Sequence, residues 1–274
     1  MKLNFPKLFR RLLRIISVLF GLYILSLIFV FIKQERFFFN PKHLDKNYAF
    51  NFQETFEELN IPVTETVSLN ALLFKTEQIK KGVIVYFHGN AGAIHDWGKR
   101  APLYLDNGYD ILFFDYRGYG KSNGEYTEAL ELFNDGQRVY NFIKEEYSED
   151  EIVLLGYSLG SGIAAYVASK NNPKQLILNA PYYSWKTLIS EEIAPPIPSF
   201  LIKYDMPTYQ FISAIKCLIK IFYGTRDILI NPKTNAEKLK KINPNNITLF
   251  PIIDGGHNGL HITKQYYDEL KKVL

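Results

Sequence analysis

Six continuous apolar runs separated by helix-like stretches predict an α/β chain built on a mostly parallel central sheet with helices on both faces. The runs are GVIVYF (82–87), DILFFD (110–115), EIVLLG (151–156), QLILNA (175–180), IKIFYG (219–224) and NITLFP (246–251). Strands that are apolar on both faces belong to a parallel sheet covered on both sides. The intervening stretches read as helices near Trp97–Asn107, Glu128–Tyr147, Leu159–Lys170 and Lys233–Lys241, with a last one near Leu260–Leu274. At 274 residues and 47% hydrophobic, the chain has material for one large domain or at most two.

Ahead of the alternating region, PVTETVSL and ALLFK read as a hairpin with Asn70 at its turn, and residues 37–60 as a linker that wraps onto the domain. One stretch breaks the alternation. Residues 181–217 are long and irregular, carry five prolines, and hold Tyr182, Tyr183, Trp185, Ile193, Phe200, Leu201, Tyr204 and Phe211. Inserts of that length in compact domains are usually lids or binding loops, and the aromatic content suits a lid over an apolar ligand.

Charge divides the chain. The net +4 conceals +6 in residues 1–36 and −2 in the rest. A near-neutral globular part has no electrostatic footprint for nucleic acid. From Ile15 to Ile32 no residue is charged. Eighteen helical residues span about 27 Å, close to a hydrocarbon core of about 30 Å. The run is longer than a signal-peptide core, no small-residue cleavage site follows it, and it has no polar face. It reads as an uncleaved membrane anchor covering residues 1–36, ahead of a domain at 37–274. Lys2, Lys7, Arg10, Arg11 and Arg14 precede the span, whereas only Lys33 and Arg36 follow it closely. That bias keeps the amino terminus in the cytoplasm and the domain on the opposite side. Cys217 is the single cysteine, so disulfides and cysteine-based metal sites are not expected.

The chemistry begins at GYSLG, residues 156–160, a G-x-S-x-G placed where an apolar strand turns into a small-residue helix. In that context the serine sits on a strained turn with its oxygen exposed, and glycines on either side avoid collisions. Ser158 is therefore a candidate nucleophile, and it needs an oriented base. Of five histidines, His43 and His261 read as solvated, His95 as exposed near the site, and His88 as the end of the strand GVIVYF. His257 lies in DGGHNG, a glycine-rich loop after the last strand, and is the better base. Asp227, just after IKIFYG, is the expected acid, because Ser, Asp, His is the chain order for such a triad on this type of sheet. Asp254 is the alternative, and Asp115 reads as structural. The backbone N–H groups of Asn90, in HGNAG, and Leu159 are the expected oxyanion donors. HGNAGA lacks the Lys-Ser/Thr of a P-loop and the G-x-G-x-x-G of a dinucleotide site.

With FFFNP, YFHGNAG, DYRGYGKSNG, GYSLGSG, YGTRDILI and GGHN all in order, the chain resembles the α/β-hydrolases. It is most similar to membrane-anchored serine hydrolases of the alpha/beta-hydrolase-domain-containing (ABHD) type and their bacterial relatives. The resemblance runs from about residue 36 to the end, with a minor departure around Ala164. It implies an α/β-hydrolase fold with a lid, and hydrolysis of esters or thioesters of acyl or lipid-like substrates without a metal or organic cofactor. It maps the nucleophile to Ser158, the acid to Asp227, the base to His257 and the oxyanion donors to Asn90 and Leu159. A peptidase or amidase would carry the same triad. A non-catalytic binding protein would be expected to lack one of its members.

Overall fold

The computed structural model describes residues 5–274, so Lys2 of the basic leader lies outside the described residues. Eight strands form the main sheet: β1 Phe56–Pro62, β2 Ser68–Phe74, β3 Gly82–Phe87, β4 Tyr109–Phe114, β5 Ile152–Tyr157, β6 Gln175–Asn179, β7 Leu218–Gly224 and β8 Ile247–Ile252. Their spatial order is β1-β2-β4-β3-β5-β6-β7-β8. β2 runs antiparallel to both β1 and β4, and every other pairing is parallel. The six expected apolar strands are all present, within a residue of their expected limits.

Period-two alternation explains why these runs are apolar throughout. Val83, Val85 and Phe87 of β3 and Leu154 of β5 enter one core, shared with the helices α2 (Ala129–Ile143), α3 (Leu159–Lys170), α4 (Thr208–Ala214) and α5 (Ala236–Ile242). Ile84, Tyr86, Val153 and Leu155 enter the other, beneath the turns at 94–105 and helix α6 (Lys264–Val273). α2 starts with a reciprocal capping box between Glu128 and Glu131. Its inner face holds Asp135, which accepts two hydrogen bonds from Arg117 at 2.6 and 2.9 Å and so fastens the glycine-rich loop after β4.

Three local expectations shift. The hairpin turns at 63–67, where the Val63 N–H donates to the Val67 carbonyl and Thr64 Oγ1 accepts from the Val67 N–H. Asn70 instead lies inside β2, buried opposite Asn60, with its amide donating to Glu58. The side-chain hydroxyl of Thr64 supplied a turn signal that alternation alone does not register. Part of the expected linker is β1, an edge strand whose terminal Pro62 owes the ladder no donor. The helix expected at 97–107 is broken into the short turns Ile94–Trp97, Gly98–Arg100 and Pro102–Leu105.

The amino-terminal helix α1 runs from Phe5 to Phe38, with non-helical angles at Lys33. It is long and apolar enough to cross a membrane, and the apolar stretch is exposed. The chain then folds onto the domain as anticipated. Phe38 and Phe39 are buried, and Asn40–Pro41 pair in parallel with Ala91–Gly92.

Candidate active site

Tyr157 ends β5 and Leu159 starts α3, so Ser158 is the single residue at the turn. Its backbone has φ 51° and ψ −114°, a left-handed conformation strained for a residue with a side chain. The flanking glycines have steric reasons. A Cβ on Gly156 would lie 2.6 Å from the Gly160 carbonyl oxygen, and one on Gly160 would overlap the Phe87 carbonyl at the end of β3. No other residue lets β5, α3 and β3 approach this closely.

His257 arrives from the loop after β8. Its Nε2 stands 3.0 Å from Ser158 Oγ, and its Nδ1 stands 2.8 Å from Asp227 Oδ2. Asp227 is buried and its other oxygen accepts the Leu229 and Ile230 N–H groups, each at 2.9 Å. Those two bonds fix the carboxylate rotamer. With the carboxylate on Nδ1, the neutral imidazole carries its proton there and presents a lone pair to the serine hydroxyl. Glycine again permits the approach: a Cβ on Gly224 would overlap the Gly255 carbonyl, while the Arg226 N–H donates to that same carbonyl at 2.9 Å. Asp254 stays away from the histidine. It occupies an exposed turn at φ 59° and pairs with Arg226 at 2.8 Å.

Tyr157, the variable residue before the serine, was not singled out from sequence. Its hydroxyl donates to the His257 carbonyl at 2.5 Å, tying the histidine loop to the serine's own strand. The only sequence signal for it is its position, because side chains alternate across a strand and Tyr157 must face opposite to its neighbours.

The HGNAG loop follows β3. Asn90 offers its carbonyl to the Asn40 N–H and the Tyr119 hydroxyl, each at 2.9 Å, and its side-chain amide donates to the Phe38 carbonyl at 3.2 Å. Three anchors thus hold the residue whose N–H is the expected donor. Leu159 heads α3, so its N–H has no acceptor in the helix. Two of the partners are Phe38, the last residue of α1, and Asn40 in the segment that follows it. Sequence reading placed that segment on the domain but not against this loop.

The remaining histidines separate clearly. His88 is buried against Trp97 and Tyr116, with Nε2 3.5 Å from Asp115, whose carboxyl burial pushes above its ordinary range. His95 Nε2 lies 3.0 Å from Asp96 and 2.6 Å from Lys42 Nζ, and burial lowers its pKa. His261 is a correction: it sits half-buried on a turn before α6, and burial followed by the Arg100 charge lowers its pKa to about 4. Cys217 is partly buried in the first core, and burial pushes its thiol up to about 11. Among the described residues no three His, Cys, Asp or Glu side chains gather to hold a metal ion.

Comparison with known proteins places this geometry in context. Residues 82–201 match the family described as alpha/beta hydrolase fold. An uncharacterised protein of Acanthamoeba polyphaga mimivirus is 26% identical over 237 residues, covering 78% of this chain and 79% of that one. The lysophosphatidylserine lipase ABHD12 of Xenopus tropicalis is 31% identical over 185 residues, covering 60% of this chain and 46% of the lipase. The esterase of Pyrococcus furiosus superposes with a TM-score of 0.67 at 19% identity, over 86% of this chain and 95% of the esterase.

Proposed function

We propose that this chain, an α/β-hydrolase resembling the ABHD-type enzymes, is a membrane-anchored serine hydrolase of acyl esters or thioesters. The observation that carries the proposal is the continuous contact from Asp227 through His257 to Ser158 Oγ, ending on a serine at φ 51°. His257 takes the Ser158 proton as Oγ attacks the acyl carbonyl. The Leu159 and Asn90 N–H groups receive the oxyanion, each worth about 2.7–4 kcal/mol in such sites. Collapse of the tetrahedral intermediate returns that proton to the leaving alcohol or thiol and leaves an acyl-enzyme. Water, deprotonated by the same histidine, then releases the acid.

Residues 1–36 form the anchor and residues 37–274 the hydrolase domain. The basic residues before the span hold the amino terminus in the cytoplasm, with the domain on the opposite side. Lipid-like esters are the favoured substrate class. The ABHD12 relatives are lysophosphatidylserine lipases by name, and the 181–217 segment carries aromatic and aliphatic residues suited to a lid.

A fluorophosphonate probe applied to intact membranes should label Ser158, and p-nitrophenyl esters should be cleaved with kcat/KM rising from acetyl to octanoyl. Each buried CH₂ contributes about 0.8 kcal/mol. A flat series would remove the lipid-like substrate, and faster cleavage of peptide amides than of any ester would make the enzyme an amidase.

A further inference from the structure

We infer that the loop at 193–202 is a second membrane-embedded element, seated beside α1 and covered by the acyl chains of the bilayer. The inference rests on the reading of α1 as a membrane span. The loop reads IAPPIPSFLI and carries no charge over ten residues. Phe200 is 80% exposed and Ile193 42% exposed, at the outer edge of the 181–217 segment. Water would leave these side chains without a partner.

The position of the loop along α1 carries the argument. Lys203 pairs with Glu35 at 3.3 Å, so the residue that closes the loop stands level with the charged cluster Lys33–Arg36 that ends the apolar run. From there the loop follows the helix back into that run. Gln34, buried, donates to the Leu201 carbonyl at 3.2 Å and accepts the Lys203 N–H at 2.9 Å. Further along, the Tyr23 hydroxyl donates to the Pro196 carbonyl at 2.6 Å. Tyr23 lies ten residues before Lys33, about 15 Å along a helix, which is half of a hydrocarbon core of about 30 Å. Between these contacts Ile24, Leu27, Ile28 and Phe31 of α1 and Phe200 and Leu201 of the loop line a groove of about 310 Å³. Every lining side chain is apolar.

Backbone chemistry agrees with this placement. Hydrocarbon tolerates irregular backbone only where its polar groups are met by protein. Pro195, Pro196 and Pro198 have no N–H to satisfy. The N–H groups of Ala194, Ile197, Leu201 and Ile202 donate to carbonyls of Ile189, Ala194, Pro198 and Ser199. The tyrosine and glutamine of α1 meet two of the loop carbonyls. Only the Ser199 and Phe200 N–H groups, in the first turn of a short 3₁₀ helix, have no protein partner among the described residues. The donor side of the loop is thus met almost throughout by the protein's own carbonyls.

The test uses the full chain with Cys217→Ser, carrying one cysteine labelled with an environment-sensitive fluorophore, in phosphatidylcholine vesicles with brominated acyl chains. Labels at Phe200→Cys and, as a gentler second position, Ser199→Cys are compared with Ile24→Cys on α1 and with Ile79→Cys, 91% exposed on the domain. The expected result is loss of most emission to bromolipid at 199 and 200, as at 24. Shielding from aqueous iodide should also be several-fold greater than at 79. Quenching at 24 but iodide access at 199 and 200 overturns the inference. Shielding from both quenchers also overturns it, because a protein surface would then cover the loop. An unquenched label at 24 removes the membrane span and this inference with it. No readout depends on hydrolysis, so the proposed activity stands or falls separately.

Discussion

Two loops at the same edge of the sheet each carry a histidine beside an aspartate, yet they are built for different work. After β3 and β4, His88 and Asp115 are sealed in the core, 3.5 Å apart and hemmed by Trp97, Tyr116 and Tyr119. After β8, His257 has one nitrogen on the buried Asp227 at 2.8 Å and the other on Ser158 at 3.0 Å. A histidine–carboxylate pair does not by itself make a base. The second nitrogen must face a hydroxyl, whereas His88 turns Nδ1 to the Gly89 carbonyl at 2.7 Å. His88 holds a loop in place, whereas His257 stands at the Ser158 hydroxyl whose proton it takes in the proposed mechanism.

Breaking the pair that faces Ser158 should have the largest effect. Ser158→Ala and His257→Ala should each lower kcat/KM for a short ester by about 10⁴-fold or more, with the thermal transition unchanged. Asp227→Asn should cost about 10³–10⁴-fold, because it presents the wrong imidazole tautomer. Asp254→Ala, by contrast, should stay within about twofold of the parent, since surface changes of this kind cost little. If Asp254→Ala proved the more damaging aspartate change in steady-state assays, the acid would be misassigned.

The sealed pair should fail in the opposite manner. His88→Ala takes away the side-chain partner of the buried Asp115 carboxyl, leaving only the Ile94 N–H on it, and opens a cavity, at about 3 kcal/mol, or roughly 10 °C in Tm for a domain of this size. Calorimetry should register that loss, while the folded fraction should keep far more activity than His257→Ala. A variant as inactive as His257→Ala with an unchanged Tm would erase the distinction between the two loops.

A smaller effect tests the brace between helix and domain. Gln34→Ala removes two hydrogen bonds to the 181–217 segment from a buried side chain, for about 1–3 kcal/mol. Limited proteolysis near Pro198 should accelerate before any change in the hydrolysis of a short soluble ester. Unaltered cleavage there would show that the helix does not hold the segment.

The smallest effect belongs to a third histidine, His261. Its folded pKa of about 4 lies below the ordinary value near 6.5. Between those values the unfolded chain takes up a proton that the folded chain refuses, so stability rises with pH across that window and falls on acidification. Replacing it with Gln should flatten the pH dependence of Tm between about 4 and 6.5 relative to the parent. An equally steep profile in the variant would assign the effect to another group.

Much of this was legible from residue types in order. The strands showed themselves because a two-faced strand in a covered sheet must be apolar at every position, and the elbow because only glycine fits on either side of Ser158. His257 and Asp227 could be chosen because loops at the carboxyl ends of parallel strands converge. Asn70 and His261 were misread for a shared reason. Each carries a polar side chain whose ordinary setting is a turn or the surface, and residues distant in sequence cover Asn70 fully and His261 in part.

The sequence by itself determined the sheet, the elbow, the long apolar amino-terminal helix and the identities of the three residues that meet at the site. These follow from local sterics and from the periodicity of burial, which a short window of residues records. Only the tertiary structure decided that Tyr157 would clasp the histidine loop, that Phe38 and Asn40 would hold the loop of Asn90, and that Pro196 would lie against Tyr23. Each of these contacts joins residues between about 50 and 173 positions apart. Such a contact exists only once the whole chain has chosen its path, because no local energy favours it beforehand.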